Sequence, residues 1–134
     1  MRVADRIRPR RTMKLHLQQG VALQVTGSGP GWLRVNGDTY RASVVLTPET
    51  VIEDVVQGGF AALTADDLAA LQRHDPEVLL IGTGAAQHFL PPAALRALAE
   101  ARIGFEVMST PAACRTYNIL AGEGRRVVAL LLVE

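Results

Sequence analysis

Apolar residues along this chain follow two regimes, and the switch lies near Gly58-Gly59. Upstream of it, short apolar runs alternate with period two, the signature of strands with one face inward. Leu15, Leu17 and Val21 begin an extended region, and Gly27-Ser28-Gly29-Pro30-Gly31 reads as a turn. Trp32 to Val35, Asn36-Gly37, and Thr39 to Leu46 together predict a β-hairpin, because both central residues of an Asn-Gly turn accept positive φ. Val51 to Val55 adds a further short strand.

Downstream, the period lengthens and helices alternate with continuous apolar runs. Thr64 caps a helix whose first turn holds Asp66 and Asp67, where the positive end of the helix favours acids. Leu68 and Leu71, with Ala65, form its inward stripe, and Asp75-Pro76 stops it. The unbroken run from Glu77 to Ile81 is a strand covered on both faces. Pro91-Pro92 opens a second helix with Leu95, Leu98 and Ala99 inward, and Gly104 ends it. Phe105 to Met108 is a strand, Thr110 to Ala121 a helix and Arg126 to Val133 a strand. Strand, helix, strand, helix, strand with short links predicts right-handed crossovers and a parallel core. The expected fold is therefore a single α/β domain over residues 14–134, a mixed sheet with a parallel core and packed helices. An antiparallel N-terminal β-hairpin layer is expected to extend or cover that sheet.

Charge changes the picture only at the N-terminus. Residues 1–14 hold six basic groups against Asp5, which leaves eight basic and twelve acidic residues in the remainder. The body at about −4 gives no electrostatic case for nucleic acid. Residues 1–13 are expected to be a disordered basic arm, and Met13 is an alternative start. A composition of 49% hydrophobic and 20% charged residues suits a soluble globular domain. The longest apolar run, Val127 to Val133, is too short to span a bilayer, and no signal peptide is expected. Cys114 is the only cysteine, which points to a reducing, cytoplasmic setting.

Candidate chemistry concentrates at two places. Gly82-Thr83-Gly84-Ala85-Ala86-Gln87 follows the central strand but is one glycine short of a dinucleotide fingerprint, and it lacks the acidic residue that should follow about 20 residues on. It reads as a tight turn or as a loop presenting backbone N–H groups to an anion. Thr110-Pro111 is a helix entry, with Thr110 as cap and Pro111 at the first helical position. Arg115 lies about one turn in, where its charge opposes the helix dipole and calls for a carboxylate, a carbonyl cluster or an anion. Asn118 shares that side. If the strands ending at Ile81 and Met108 are parallel, the glycine loop and the helix start meet at one sheet edge, where open α/β sheets bind ligands. The candidate ligand or partner surface is Gly82, Thr83, Gly84, Thr110, Arg115, Thr116, Tyr117 and Asn118. The competing reading ties Arg115 and Asn118 to loop carbonyls as a structural corner. Cys114 reads as a buried packing residue, with His88 the one histidine placed to approach it. Phe89-Leu90-Pro91-Pro92 is either an exposed apolar corner for a partner or a staple under the helix start. No catalytic set, metal site or cofactor motif is complete, so the sequence leans against an enzyme.

Three segments, LLIGTGAAQ at 79–87, GFEVMSTPAACRTYNIL at 104–120 and EGRRVVALL at 123–131, give the chain its resemblance. In that order they resemble the Mth-nine-three-eight-like family, a domain of unknown function whose relatives include a mitochondrial assembly factor for respiratory complex I. The resemblance covers roughly residues 14–134 and is most specific at Thr110 to Asn118. It implies a compact α/β domain with an antiparallel hairpin layer and no established activity, metal or cofactor. The lack of an acid–base pair and of a complete cofactor motif fits a non-enzymatic binding or assembly module with another protein as partner, which the resemblance links to respiratory-complex assembly. The alternative is a small-molecule or anion-binding protein using the crevice between the Gly82–Gly84 loop and the helix start.

Overall fold

The computed structural model of the chain describes residues 21–134. The basic arm, Leu15 and Leu17 lie outside the described residues. Val21 is exposed and belongs to no strand.

The core is a five-stranded mixed sheet built from β4 (Val44–Leu46), β5 (Val51–Ile52), β6 (Val78–Gly82), β7 (Gly104–Met108) and β8 (Val127–Leu131), in the order β5-β4-β8-β6-β7. β6 pairs parallel with both β8 (Leu80 opposite Ala129) and β7 (Leu80 opposite Glu106), while β4 runs antiparallel along β8. The parallel core predicted from the pattern is present, and the N-terminal half extends it through β4 and β5. β8 is buried at every position because it has neighbours on both sides and cover on both faces, which explains its uninterrupted apolar run.

Period-two alternation assigns the two faces. Leu80, Val127, Ala129, Leu131, Val44 and Leu46 form one cluster with the helix α3 (Thr110–Gly122) and with a separate three-stranded sheet. Leu79, Ile81, Val128, Leu130 and Val45 form the other, with α1 (Ala65–Ala69) and α2 (Pro92–Glu100). That small sheet comprises β1 (Val25–Gly29), β2 (Trp32–Val35) and β3 (Asp38–Tyr40), all antiparallel. Asn36 and Gly37 both have positive φ, 47° and 94°, as the hairpin reading requires.

Several boundaries differ from the pattern, each for a physical reason. The strand expected over Thr39 to Leu46 breaks at Arg41-Ala42-Ser43, where the chain leaves one sheet for the other. Ser43 makes the switch by accepting the Val133 N–H on its hydroxyl at 2.8 Å. Gly27 and Gly29 are strand residues of β1 rather than part of the turn, which lies at Pro30-Gly31. The Trp32 ring lies against them: a Cβ at Gly29 would stand 2.5 Å from its indole nitrogen. The strand expected to reach Val55 ends at Ile52, since Asp54 takes the left-handed conformation at φ 59°.

α1 begins as predicted, with Thr64 and Asp67 exchanging side-chain bonds in a capping box. α2 presents a different face from the expected one. Ala94 and Leu98 are buried, whereas Leu95 and Ala99 are exposed. Leu90, buried just before the helix, sets its rotation, so the inward stripe runs Leu90, Ala94, Leu98 at four-residue spacing. Gly104 starts β7 instead of ending α2, and Arg102 at φ 59° makes the turn between them.

Candidate functional site

β6 and β7 are parallel, so the glycine loop and the start of α3 meet at their carboxyl ends. A hydrogen-bonded knot fills the junction. Thr110 N–H donates to the Gly84 carbonyl at 2.8 Å, and Gly84 N–H donates to the Thr110 hydroxyl at 2.9 Å. That hydroxyl donates in turn to the Leu132 carbonyl at 2.7 Å, beyond the end of β8. One buried side chain thereby ties three segments together. Gly82 is glycine for lack of space, as a Cβ there would lie 2.9 Å from Thr110 Cα. Gly84 sits at φ 114°, a backbone conformation that disfavours any residue with a side chain.

Thr83 is fully buried and organises the loop that follows. Its hydroxyl donates to the Ala86 carbonyl at 2.9 Å and accepts from His88 N–H at 2.9 Å. Its own N–H continues the ladder to the Met108 carbonyl. Residues 85–89 are exposed around this fixed centre, and Phe89 stands 88% exposed while Leu90 turns inward. The staple and the exposed apolar corner thus belong to adjacent residues.

The helix cap is Ser109, whose hydroxyl accepts from Ala112 N–H, and Thr110 and Pro111 occupy the first two helical positions. Thr110 does not serve as cap because its hydroxyl faces the adjacent strand end.

Successive residues of α3 advance about 100° each, so Arg115 to Asn118 point to different neighbours. Arg115 is exposed and makes no salt bridge among the described residues. Thr116 donates its hydroxyl to the Met108 sulfur at 3.6 Å. Tyr117 is fully buried under the small sheet and donates to the Thr47 carbonyl at 3.2 Å. Burial, with Glu49 adding to it, pushes its phenol well above the usual tyrosine range. Asn118 accepts from Val25 N–H and donates to Val25 C=O, both at 2.8 Å, so its carboxamide stands in for a neighbouring strand along β1. Gly82, Thr83, Gly84 and Thr110 therefore converge, while Tyr117 bonds to the segment after β4, Asn118 holds the small sheet and Arg115 faces solvent.

Cys114 lies in the core on the α3 face, whereas His88 stacks on Phe60 at 4.7 Å, and Phe60 packs with the opposite face. The sheet separates the two residues, so they form no nucleophile pair. Burial pushes the Cys114 thiol up to about 11, with the Arg115 charge opposing the rise. Neutral Cys114 is favoured in the folded chain, so its contribution to stability is complete below the ordinary thiol value of 9.0 and is lost as pH rises toward about 11. Alkaline unfolding of wild type should show this slope, and Cys114→Ala should flatten the 9–11 window. Among the described residues no three His, Cys, Asp or Glu side chains gather as a metal cluster.

A pocket of about 710 Å³, lined by none of the site residues singled out in the sequence, lies at the same sheet end, displaced from β6 and β7 to the junction of β8 and β4. Arg41, Ser43, Asp54, Gly58, Gly59 and Glu134 contribute to its lining. The Gly58-Gly59 pair was its legible signal: φ of 104° and 70° bends the chain around the Glu134 side chain.

The family model described as a protein of unknown function (DUF498/DUF598) matches residues 25–132. An uncharacterized protein of Rhodobacter capsulatus is 39% identical over 83% of this chain and 85% of its own. Bovine NADH dehydrogenase (ubiquinone) 1 alpha subcomplex assembly factor 3 is 34% identical over 73% of this chain, which spans about half (54%) of that protein. A crystal structure from Bordetella parapertussis is similar at TM-score 0.78 and 42% identity, covering 87% of this chain and 99% of that one. A Bordetella pertussis protein described as a Mth938-like domain gives TM-score 0.69 at 37% identity, covering 82% and 85%. Among the described residues no helix is long and apolar enough to cross a membrane. The match across most of the chain, together with the mixed sheet and its antiparallel outer layer, identifies a Mth938-like domain: the chain belongs to the DUF498/DUF598 family.

Proposed function

We propose that this domain is a non-enzymatic binding and assembly module that acts on other polypeptides, with respiratory-complex intermediates as the partner class. The observation that carries the reading is where the polar motif is spent. Thr83, Thr110, Tyr117 and Asn118 use their side chains to hold the fold together, while the loop anchored by Thr83 and Thr110 lifts Phe89 into solvent at 88% exposure. A large apolar side chain on a rigid support suits protein contact, where aromatic anchors dominate binding energy. The assembly-factor name of the bovine relative supports the same direction. A cytoplasmic setting accords with the single unpaired Cys114.

The test is a photo-activated cross-linker placed at position 89 in cells, with position 123, also exposed, on the turn after α3, as control. Adducts with respiratory-complex subunits or their assembly proteins should form from position 89 and not from 123. An identical adduct pattern from both positions would overturn the reading. Phe89→Asp should abolish partner recovery yet change stability by no more than about 0.5 kcal/mol, as exposed substitutions usually do.

The pocket supports a second reading, small-molecule or anion binding. The space between the glycine loop and α3 is occupied by Thr110, so this reading moves to the Arg41 side of the sheet end. Thermal-shift screening of small carboxylates and phosphates against wild type and Arg41→Ala tests it, and equal shifts in both proteins would remove it.

A further inference from the structure

We infer that the outer edge of β7 is a docking edge for an extended segment of a partner polypeptide carrying a basic residue opposite Glu106. The inference rests on the reading of the domain as a protein-binding module and supplies its surface.

Thr83 N–H bonds to the Met108 carbonyl, which fixes the direction of the Met108 backbone toward β6. Backbone groups alternate along a strand, so Gly104 and Glu106 also face β6, and those of Phe105 and Val107 face outward. Among the described residues, the N–H of Phe105, its C=O and the N–H of Val107 have no partner, and the Val107 carbonyl has only the Gln87 side chain at 3.4 Å. Three backbone groups thus await an extended chain, and an exposed glutamine covers the fourth.

The other sheet edges are blunted. β5 has two residues and β3 has three. On β1 the Val25 N–H and C=O are both taken by Asn118. β7 has five residues, without proline or lysine, the residues that commonly guard an edge. Its only charge is Glu106, exposed on the α3 face.

Glu106 also decides the occupant. In a two-fold antiparallel pair of β7 with a second copy, Phe105 bonds to Val107 and the two Glu106 carboxylates stand directly opposite. Like charges so placed are destabilising, and an opposite charge there is favourable. The edge therefore rejects its own copy in that register and favours a strand with lysine or arginine at that position. The Phe89 loop runs past the same end of β7, as the Gln87 contact shows, and would flank the added strand.

The probe is a short synthetic peptide of alternating threonine and valine with lysine at its centre, compared with its glutamate-centred counterpart. The readout is amide exchange of the full chain at Phe105 and Val107. The lysine peptide should slow both amides and bind at least about fivefold more tightly than the glutamate peptide. Glu106→Lys should reverse that preference. Val107→Pro should abolish protection, with β6 amides reporting that the sheet persists, since proline on an outward position removes no ladder bond. Unchanged exchange at Phe105 and Val107, or equal action of the two peptides, would overturn the inference. Cross-links from position 89 that survive Val107→Pro would overturn strand addition and leave the binding-module reading standing. Loss of position-89 adducts in wild type would sink that reading independently of the peptide result.

Discussion

Replacing Tyr117 by alanine is expected to lower unfolding free energy by about 3–5 kcal/mol, the range for emptying a large aromatic site in a packed core. The ring is fully buried in the core cluster that both sheets contribute to, so its removal leaves a cavity that the surroundings fill only in part. Tyr117→Phe separates the two parts of the effect. It keeps the packing but leaves the Thr47 carbonyl without its donor, at a cost of about 1–3 kcal/mol. Urea unfolding of the three proteins measures both. Equal stability of wild type and Tyr117→Phe would mean that the 3.2 Å contact contributes nothing to folding. Arg115→Ala, two residues away and exposed, should stay within about 0.5 kcal/mol of wild type.

Thr110→Val is the second large effect, and it bears on the site directly. Valine preserves the shape but removes the hydroxyl that accepts from Gly84 and donates to Leu132. Two buried backbone groups lose their partners at once, which costs about 2–6 kcal/mol at roughly 1–3 each. Thr110→Ser retains the hydroxyl and should recover most of the loss. Amide exchange at Gly84 locates the effect: it should accelerate in Thr110→Val before residues of β8 respond. A uniform acceleration across the sheet would show global unfolding instead of an opened corner.

The parallel core was legible because its evidence is local and redundant. Val78 to Ile81 and Val127 to Val133 are continuous apolar runs, Phe105 to Met108 is apolar apart from Glu106, and helices separate the three; each strand appears within a residue or two of its predicted place. The α2 face was misread because Leu95 is as apolar as Leu98. Only the burial of Leu90 outside the helix fixes the rotation. The exit from β3 to β4 was hidden because an alternating run looks the same whether it stays in one sheet or crosses to another. At the site, the convergence of Gly82, Gly84 and Thr110 followed from strand direction alone. What the hydroxyl of Thr110 does there depends on the Leu132 carbonyl, contributed by a segment 22 residues away. The roles of Tyr117 and Asn118 depend on contacts 70 and 93 residues away, beyond the reach of spacing rules.

The Asn118 carboxamide has a consequence for the chain as it is made. The small sheet shares no strand ladder with the large one, and Asn118 is the group that clasps its outermost strand at Val25. β4 faces the same delay, since Val44 pairs with Leu131. At ribosomal rates of about 5–20 residues per second, the hairpin and β4 wait roughly 4–17 s before their partners emerge. Until then Leu33, Val35, Val44 and Leu46, all destined for the interior, have only each other for cover. The nascent first half is therefore a natural client for a holding chaperone, and a ribosome stalled before Asn118 is translated should present it in protease-sensitive form.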